Sequence, residues 1–182
     1  MLFSDVINQQ QIKTQLLQSL QQQRLSHALL FLAPEGAGGL PLALAFSQYV
    51  VCSNKKADDA CGECDQYKKA AQLIHPDIHY TYPLVPKKSG DKPISADYIG
   101  EWRSFIREYP YGNVQDWLQY IRAENRQGNI TANECQDIIH KLSLKSFESD
   151  YKILLLWMPE YLGEQGNRLL KLIEEPPDKT LF

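Results

Sequence analysis

Long apolar runs are missing from this 182-residue chain, and none approaches the length of a membrane span. An excess of positive charge is missing as well. The formal net charge is −3, which excludes strong whole-surface attraction to nucleic acid. Any DNA contact would have to be local or made through partner chains. The opening residues, "MLFSDVINQQ", lack the basic start and apolar core of a signal peptide, so a cytoplasmic location is the expectation. Internal repeats are absent, and the only biased tract is the glutamine-rich stretch at 9–23, which reads as a solvated helix face. Cysteine is scarce, with four residues at 52, 61, 64 and 135. Two of them form a C-x-x-C pair, which in a cytosolic chain points to metal or redox chemistry before disulfides.

What is present is ordinary for a globular protein: 43% hydrophobic and 23% charged residues. The length allows one sizeable domain, or one domain with an insertion. Ile12, Leu16 and Leu20 recur at four-residue spacing, predicting an amphipathic helix over 9–23. Ala28–Leu32 is a short apolar run, read as a buried strand. A glycine loop follows, then a helix opened by Pro41 and running to about Cys52. Ile78–Tyr82, between Pro76 and Pro83, is a strand candidate. "PKKSGDKP" is a loop whose Lys87, Lys88 and Lys92 read as solvated surface. Ser95 can cap a helix with Ile99, Trp102, Phe105, Ile106 and Tyr109 on one face. "YPYGN" breaks it, and a second helix carries Val114, Trp117, Leu118 and Ile121 until "NRQGN". Thr131 and Glu134 form a capping box ahead of Ile138, Ile139 and Leu142. "YKILLLW" at 151–157 is the clearest buried strand, "EQGNRLLKLIEE" a helix, and "TLF" the start of a further strand. Strands alternating with helices predict an α/β fold with a parallel sheet. Two consecutive helices at about 95–128 read as an insertion, with aromatic stripes that belong to the core.

The stretch "APEGAGGLPLALAF" sits where a phosphate-binding loop, G-x-x-x-x-G-K-[ST], would sit. Ala33 takes the first glycine slot and Gly38 the second, with Gly36 between them. Gly39 falls in the lysine slot and Leu40 in the Ser/Thr slot. In a working loop the lysine reaches the β- and γ-phosphates and the hydroxyl holds Mg²⁺. Gly39 and Leu40 offer neither, and Mg²⁺ needs oxygen ligands. The strand that should end in a magnesium-organising carboxylate ends instead in Trp157, Met158 and Pro159. ATP binding and hydrolysis are therefore not expected. Taken alone, the loop could equally be a glycine-rich turn.

Cys52, Cys61 and Cys64 read C-x8-C-x2-C, a zinc-knuckle spacing with three thiolates. Tyr67 stands where a fourth cysteine would continue the series, leaving His75 or water as candidate fourth ligands. The alternative is three free thiols. A thioredoxin-like role is disfavoured, because the pair does not lie at a strand-to-helix junction. Cys135 reads as a buried helix residue.

Several elements together resemble the bacterial clamp-loader subunits of DNA polymerase III, an AAA+ family. They are Phe3, Val6, Ile7 and Gln9; "RLSHA" with Arg24, Leu25, His27 and Ala28; the cysteine knuckle, departing at Tyr67; "HPD" at 75–77; and, most specifically, "NRLLKLIEEPP" from Asn167 to Pro177. The resemblance spans the chain apart from about 95–128. It implies a P-loop NTPase fold, three-layer α/β/α, with the strand near Thr180 beside the phosphate-loop strand. Zinc is the implied metal. The losses at Gly39, Leu40, Trp157 and Met158 resemble the delta-prime type, a non-catalytic scaffold, rather than the ATP-hydrolysing gamma/tau type. The implied partners are gamma/tau- and delta-type subunits, and through the complex the sliding clamp and primed DNA. The family's arginine finger, helical lid and collar would lie beyond residue 182, making 1–182 a fragment of the AAA+ domain with its knuckle at about 52–72. An unrelated zinc-binding adaptor of α/β fold is the remaining alternative.

Overall fold

A computed structural model describes residues 1–88, 90–123 and 126–182. Ser89 of the lysine loop, and Glu124 and Asn125 at the predicted break after the second insertion helix, lie outside the described residues. The elements in order are α1 (Gln10–Gln21), α2 (Gly39–Val51), α3 (Asp65–Ala71), β1 (Ile78–Thr81), α4 (Ile99–Glu108), α5 (Val114–Tyr120), α6 (Ala132–Ser143), β2 (Lys152–Leu156), α7 (Leu170–Glu174) and β3 (Thr180–Leu181). Short 3₁₀ turns occupy 3–5, 95–98 and 159–169. The strands form one parallel sheet in the order β1-β2-β3, with Ile78 opposite Ile153 and Ile153 opposite Leu181. The expected α/β class with a parallel sheet is what the chain forms.

β2 is central because its sequence is apolar on both faces: Ile153, Leu154 and Leu155 are all buried. Ile153 and Leu155 join the larger core, under α2, while Leu154 joins a smaller one with Ile138, Leu142 and Leu169. α2 is nearly apolar all round and is correspondingly buried from Leu40 onward. Cys135 is fully buried in the smaller core, as expected.

The run Ala28–Leu32 departs from expectation. It is extended but not a buried strand, and Leu30 and Leu32 are 78% and 90% exposed. Phe182 N–H donates to His27 O at 2.7 Å, and Leu29 N–H donates to Phe182 O at 2.8 Å. That is one rung of parallel pairing, placing the run on the β3 side of the sheet. Beyond this rung the run faces β2 across an open cleft; Leu29 and Phe31 pack against the main core, while Leu30 and Leu32 gain no cover.

Other corrections concern faces and caps. On α1 the buried residues are Lys13, Leu16 and Leu17, and Ile12 is 42% exposed. Lys13 is tolerated inside because its ammonium donates to Val6 O. Ser95 is not a helix cap; it opens a 3₁₀ turn and its N–H goes to Glu134 Oε2. Tyr109 and Ile139, expected on apolar faces, are exposed. Thr131 does cap α6, accepting Glu134 N–H at 3.2 Å, but Glu134 does not return the bond. Its carboxylate is turned inward instead. The helix expected over "EQGNRLLKLIEE" is mostly 3₁₀, with only Leu170–Glu174 α-helical, after a break at Gly163 (φ 49°, ψ −135°). α4 and α5 pack through Trp102, Phe105 and Trp117 onto Tyr82 and Trp157, so the aromatic stripes are core as expected.

Candidate functional site

The glycine loop joins the 28–32 run to α2. Gly36 (φ 73°) and Gly38 (φ 90°) take left-handed conformations that residues with a side chain rarely adopt. Gly38 is the N-cap of α2, and its carbonyl accepts Leu42 N–H at 3.0 Å. The loop thus has a phosphate loop's placement, at a helix N-terminus. Its side chains carry no matching chemistry. Gly39 presents none, and a Cβ there would only touch Ala33 at 3.5 Å, so a larger residue is not excluded by space. Leu40 is buried and lines the cleft with an apolar side chain that offers no oxygen ligand.

Across the cleft lies the end of β2. Trp157 N–H donates to Thr81 O at 2.8 Å, extending the ladder by one residue. Its ring lies 5.3 Å from that of Trp102. Met158 turns the chain with φ 57°, and Pro159 starts the next 3₁₀ turn. The cleft has a volume of about 550 Å³ and is lined mainly by apolar residues from 28–41, 153–159 and the 110–113 turn. Among the described residues, Glu35 and Glu160 are its only carboxylate-bearing lining residues. Both are acidic, and among the described residues no lysine or arginine lines the cleft to offset a phosphate's charge.

The three cysteines do come together. Cys52 Sγ lies 3.5 Å from Cys61 Sγ and 3.7 Å from Cys64 Sγ. All three sulfurs fall within 4.8 Å of one another. Three thiolates on a tetrahedral zinc at Zn–S about 2.3 Å would stand about 3.8 Å apart, so the geometry fits such an ion. Backbone supports it: Cys52 closes α2, Cys64 is the N-cap of α3, and the glycine between Cys61 and Cys64, Gly62, has φ 82°. N–H groups of Cys61, Cys64 and Tyr67 donate to Cys52, Cys61 and Cys64 sulfurs at 3.3–3.4 Å. Burial pushes the Cys52 thiol up to about 11. Burial also acts on Cys64, but hydrogen bonds from the Ser53 hydroxyl and the Tyr67 and Ser53 amides outweigh it and bring Cys64 down to about 6. The cluster could hold a metal ion.

His75 does not supply a fourth ligand. Its Nε2 pairs with Gln66 Oε1 at 2.7 Å, and Nδ1 accepts Asp77 N–H at 3.1 Å. Both ring nitrogens are already engaged, which makes it a neutral, buried, structural histidine. Asp77 is likewise structural: its carboxylate accepts the N–H groups of Phe147, Glu148 and Ser149 at 2.6–2.7 Å, pinning the turn before β2.

A family profile described as "DNA polymerase III, delta subunit" matches residues 8–182. The chain belongs to this family. Its relatives include DNA polymerase III subunit tau of Bacillus subtilis (strain 168), 25% identical over 99% of this chain and 24% of the relative. Subunit delta' of Yersinia pestis is 26% identical over 86% of this chain and 34% of the relative. Subunit delta' of Escherichia coli (strain K12) is 32% identical over 52% and 27%. The chain therefore spans about a quarter to a third of the length of these DNA polymerase III relatives. Family membership over residues 8–182 argues against the unrelated adaptor reading. Among the described residues, no helix is long and apolar enough to cross a membrane.

Sequence reasoning missed the 110–113 turn, which it treated only as a helix break. Tyr111 and Asn113 from this turn contact the glycine loop. No periodicity marks them, since their role depends on where two helices place the turn between them.

Proposed function

We propose that residues 1–182 are the nucleotide-hydrolase-like domain of a non-catalytic, delta-prime-type clamp-loader subunit of DNA polymerase III. The observation that carries this is the joint absence of chemistry at Gly39, Leu40, Trp157 and Met158, on the two sides of one cleft. Nucleotide hydrolysis needs a cation at the loop and an oxygen ligand set for Mg²⁺, and neither is present at those positions. The domain would act as a fixed part of a larger assembly with gamma/tau- and delta-type subunits, reaching the sliding clamp and primed DNA through that complex. Cys52, Cys61 and Cys64 would hold zinc, with Tyr67 leaving the fourth position to water. The ion would tie the end of α2 to the start of α3.

The tau relatives favour a second reading, an ATP-hydrolysing motor subunit, because they match 99% of the chain. The empty lysine, hydroxyl and carboxylate positions argue against it. Titration of the protein with Mg·ATP separates the two. No saturable binding at millimolar nucleotide is expected. Micromolar binding with turnover, abolished by a change at Gly38, would overturn the non-catalytic reading. Copurification with the other clamp-loader subunits is the expected partner result.

A further inference from the structure

Tyr111 joins three stretches that are distant in the chain. Its hydroxyl oxygen accepts Ile7 N–H at 2.8 Å. Its ring lies so close to Gly38 that a Cβ there would stand 3.1 Å from Tyr111 Cε1. Two residues on, Asn113 Nδ2 donates to Glu35 Oε2 at 3.2 Å. From the amino-terminal side, Gln9 Nε2 donates to Ala37 O at 3.0 Å. The loop is thus held at Glu35, Ala37 and Gly38 by side chains from outside it. Gly38, whose backbone should face a bound phosphate, is buried.

The turn bearing Tyr111 is itself stiff. Pro110 restricts φ before it. Gly112 N–H donates to Tyr109 O at 2.9 Å, and a Cβ at Gly112 would stand 2.7 Å from Phe105 Cζ, so a side chain there would force a shift. Asn113 caps α5 through Asp116 N–H at 2.9 Å. Trp102 and Trp117, fully buried and edge-to-face at 5.2 Å, lock α4 to α5, and Trp102 lies against Trp157.

We propose that the α4–α5 segment is an internal brace for the phosphate loop, with Tyr111 as its contact residue, holding the loop in one shape without any ligand. A loop with three glycines loses much conformational entropy on ordering. Where bound phosphate is not available to order it, the brace does so. The proposal rests on the non-catalytic reading and adds the device that makes it structurally workable.

The test is amide hydrogen exchange, residue by residue, on the whole protein. In Tyr111→Phe the ring stays and the hydroxyl goes. Ile7 N–H is expected to exchange roughly five- to tenfold faster, as for loss of one hydrogen bond, with loop amides little changed. In Tyr111→Ala, Ile7 and the amides of Gly36, Gly38 and Gly39 are all expected to speed up. Loop amides of Gly36, Gly38 and Gly39 that exchange as in the parent in folded Tyr111→Ala overturn the proposal; should that variant fail to fold, Tyr111→Leu, which keeps apolar bulk but takes the ring edge off Gly38, carries the same readout. Mg·ATP protecting the loop amides of the unaltered protein would instead overturn the non-catalytic reading, while the loop amides of the ligand-free Tyr111 variants still judge the brace.

Discussion

At the residue scale, the chain uses buried polar groups as fasteners. Asp77 secures three amides of one turn, and His75 is neutral between Gln66 and Asp77. His79, on β1, gives this a measurable consequence. Burial first, then Lys141 and Lys152, hold its pKa from 6.5 down to about 4, with Asp77 and Asp137 opposing in part. The folded value lies below the unfolded one, so between them the unfolded chain binds more protons. Stability from this group is complete above pH 6.5 and is lost as pH falls toward about 4. The slope is at most about 1.4 kcal/mol per pH unit for one histidine. Urea unfolding at a series of pH values should show this decline, and His79→Gln should flatten it. An unchanged slope in the variant would rule out His79 as the source.

At the element scale, Glu134 links α6 to two other parts of the molecule. Its carboxylate accepts the Thr81 hydroxyl at 2.6 Å and Ser95 N–H at 2.7 Å, while only 1% exposed. The expected capping box fails here for that reason: two buried donors compete for the carboxylate that would otherwise return to Thr131. Glu134→Ala leaves both donors unpaired in the interior and should cost about 1–3 kcal/mol for each. Denaturant midpoints measure the loss, and Glu134→Gln, which keeps an acceptor oxygen, should recover part of it. Equal stability of the alanine variant and the parent would contradict this account.

At the scale of the whole molecule, the cysteine cluster and the brace act on opposite ends of α2. The cluster gathers Cys52, at its end, with Cys61 and Cys64. The brace meets Gly38, at its beginning. Protein purified without a histidine tag is expected to carry about one zinc ion per chain, in keeping with three thiolates and an open fourth position. Chelation should lower the melting temperature, and Cys64→Ser should reduce metal content. Metal-free protein with an unchanged melting temperature would leave the three thiols as a purely packed cluster.

The local sequence determined the parallel α/β class, the positions of β1 and β2, the cap at Thr131, and the chemical poverty of the loop and strand tip. Those features rest on short-range patterns: apolar runs, C-x-x-C spacing, and slots that hold glycine or leucine where lysine or a hydroxyl is needed. The gathering of Cys52 with Cys61 and Cys64 was foreshadowed by spacing, but the engagement of His75 elsewhere was not. Tertiary structure alone decided the exposure of Leu30 and Leu32, the inward turn of Glu134, and the seat of Tyr111 on Gly38. Each depends on what stands beside a residue after the chain has folded. A neighbouring strand, a competing donor or a turn carried in by two helices leaves no mark on local periodicity, because the partner is up to a hundred residues away.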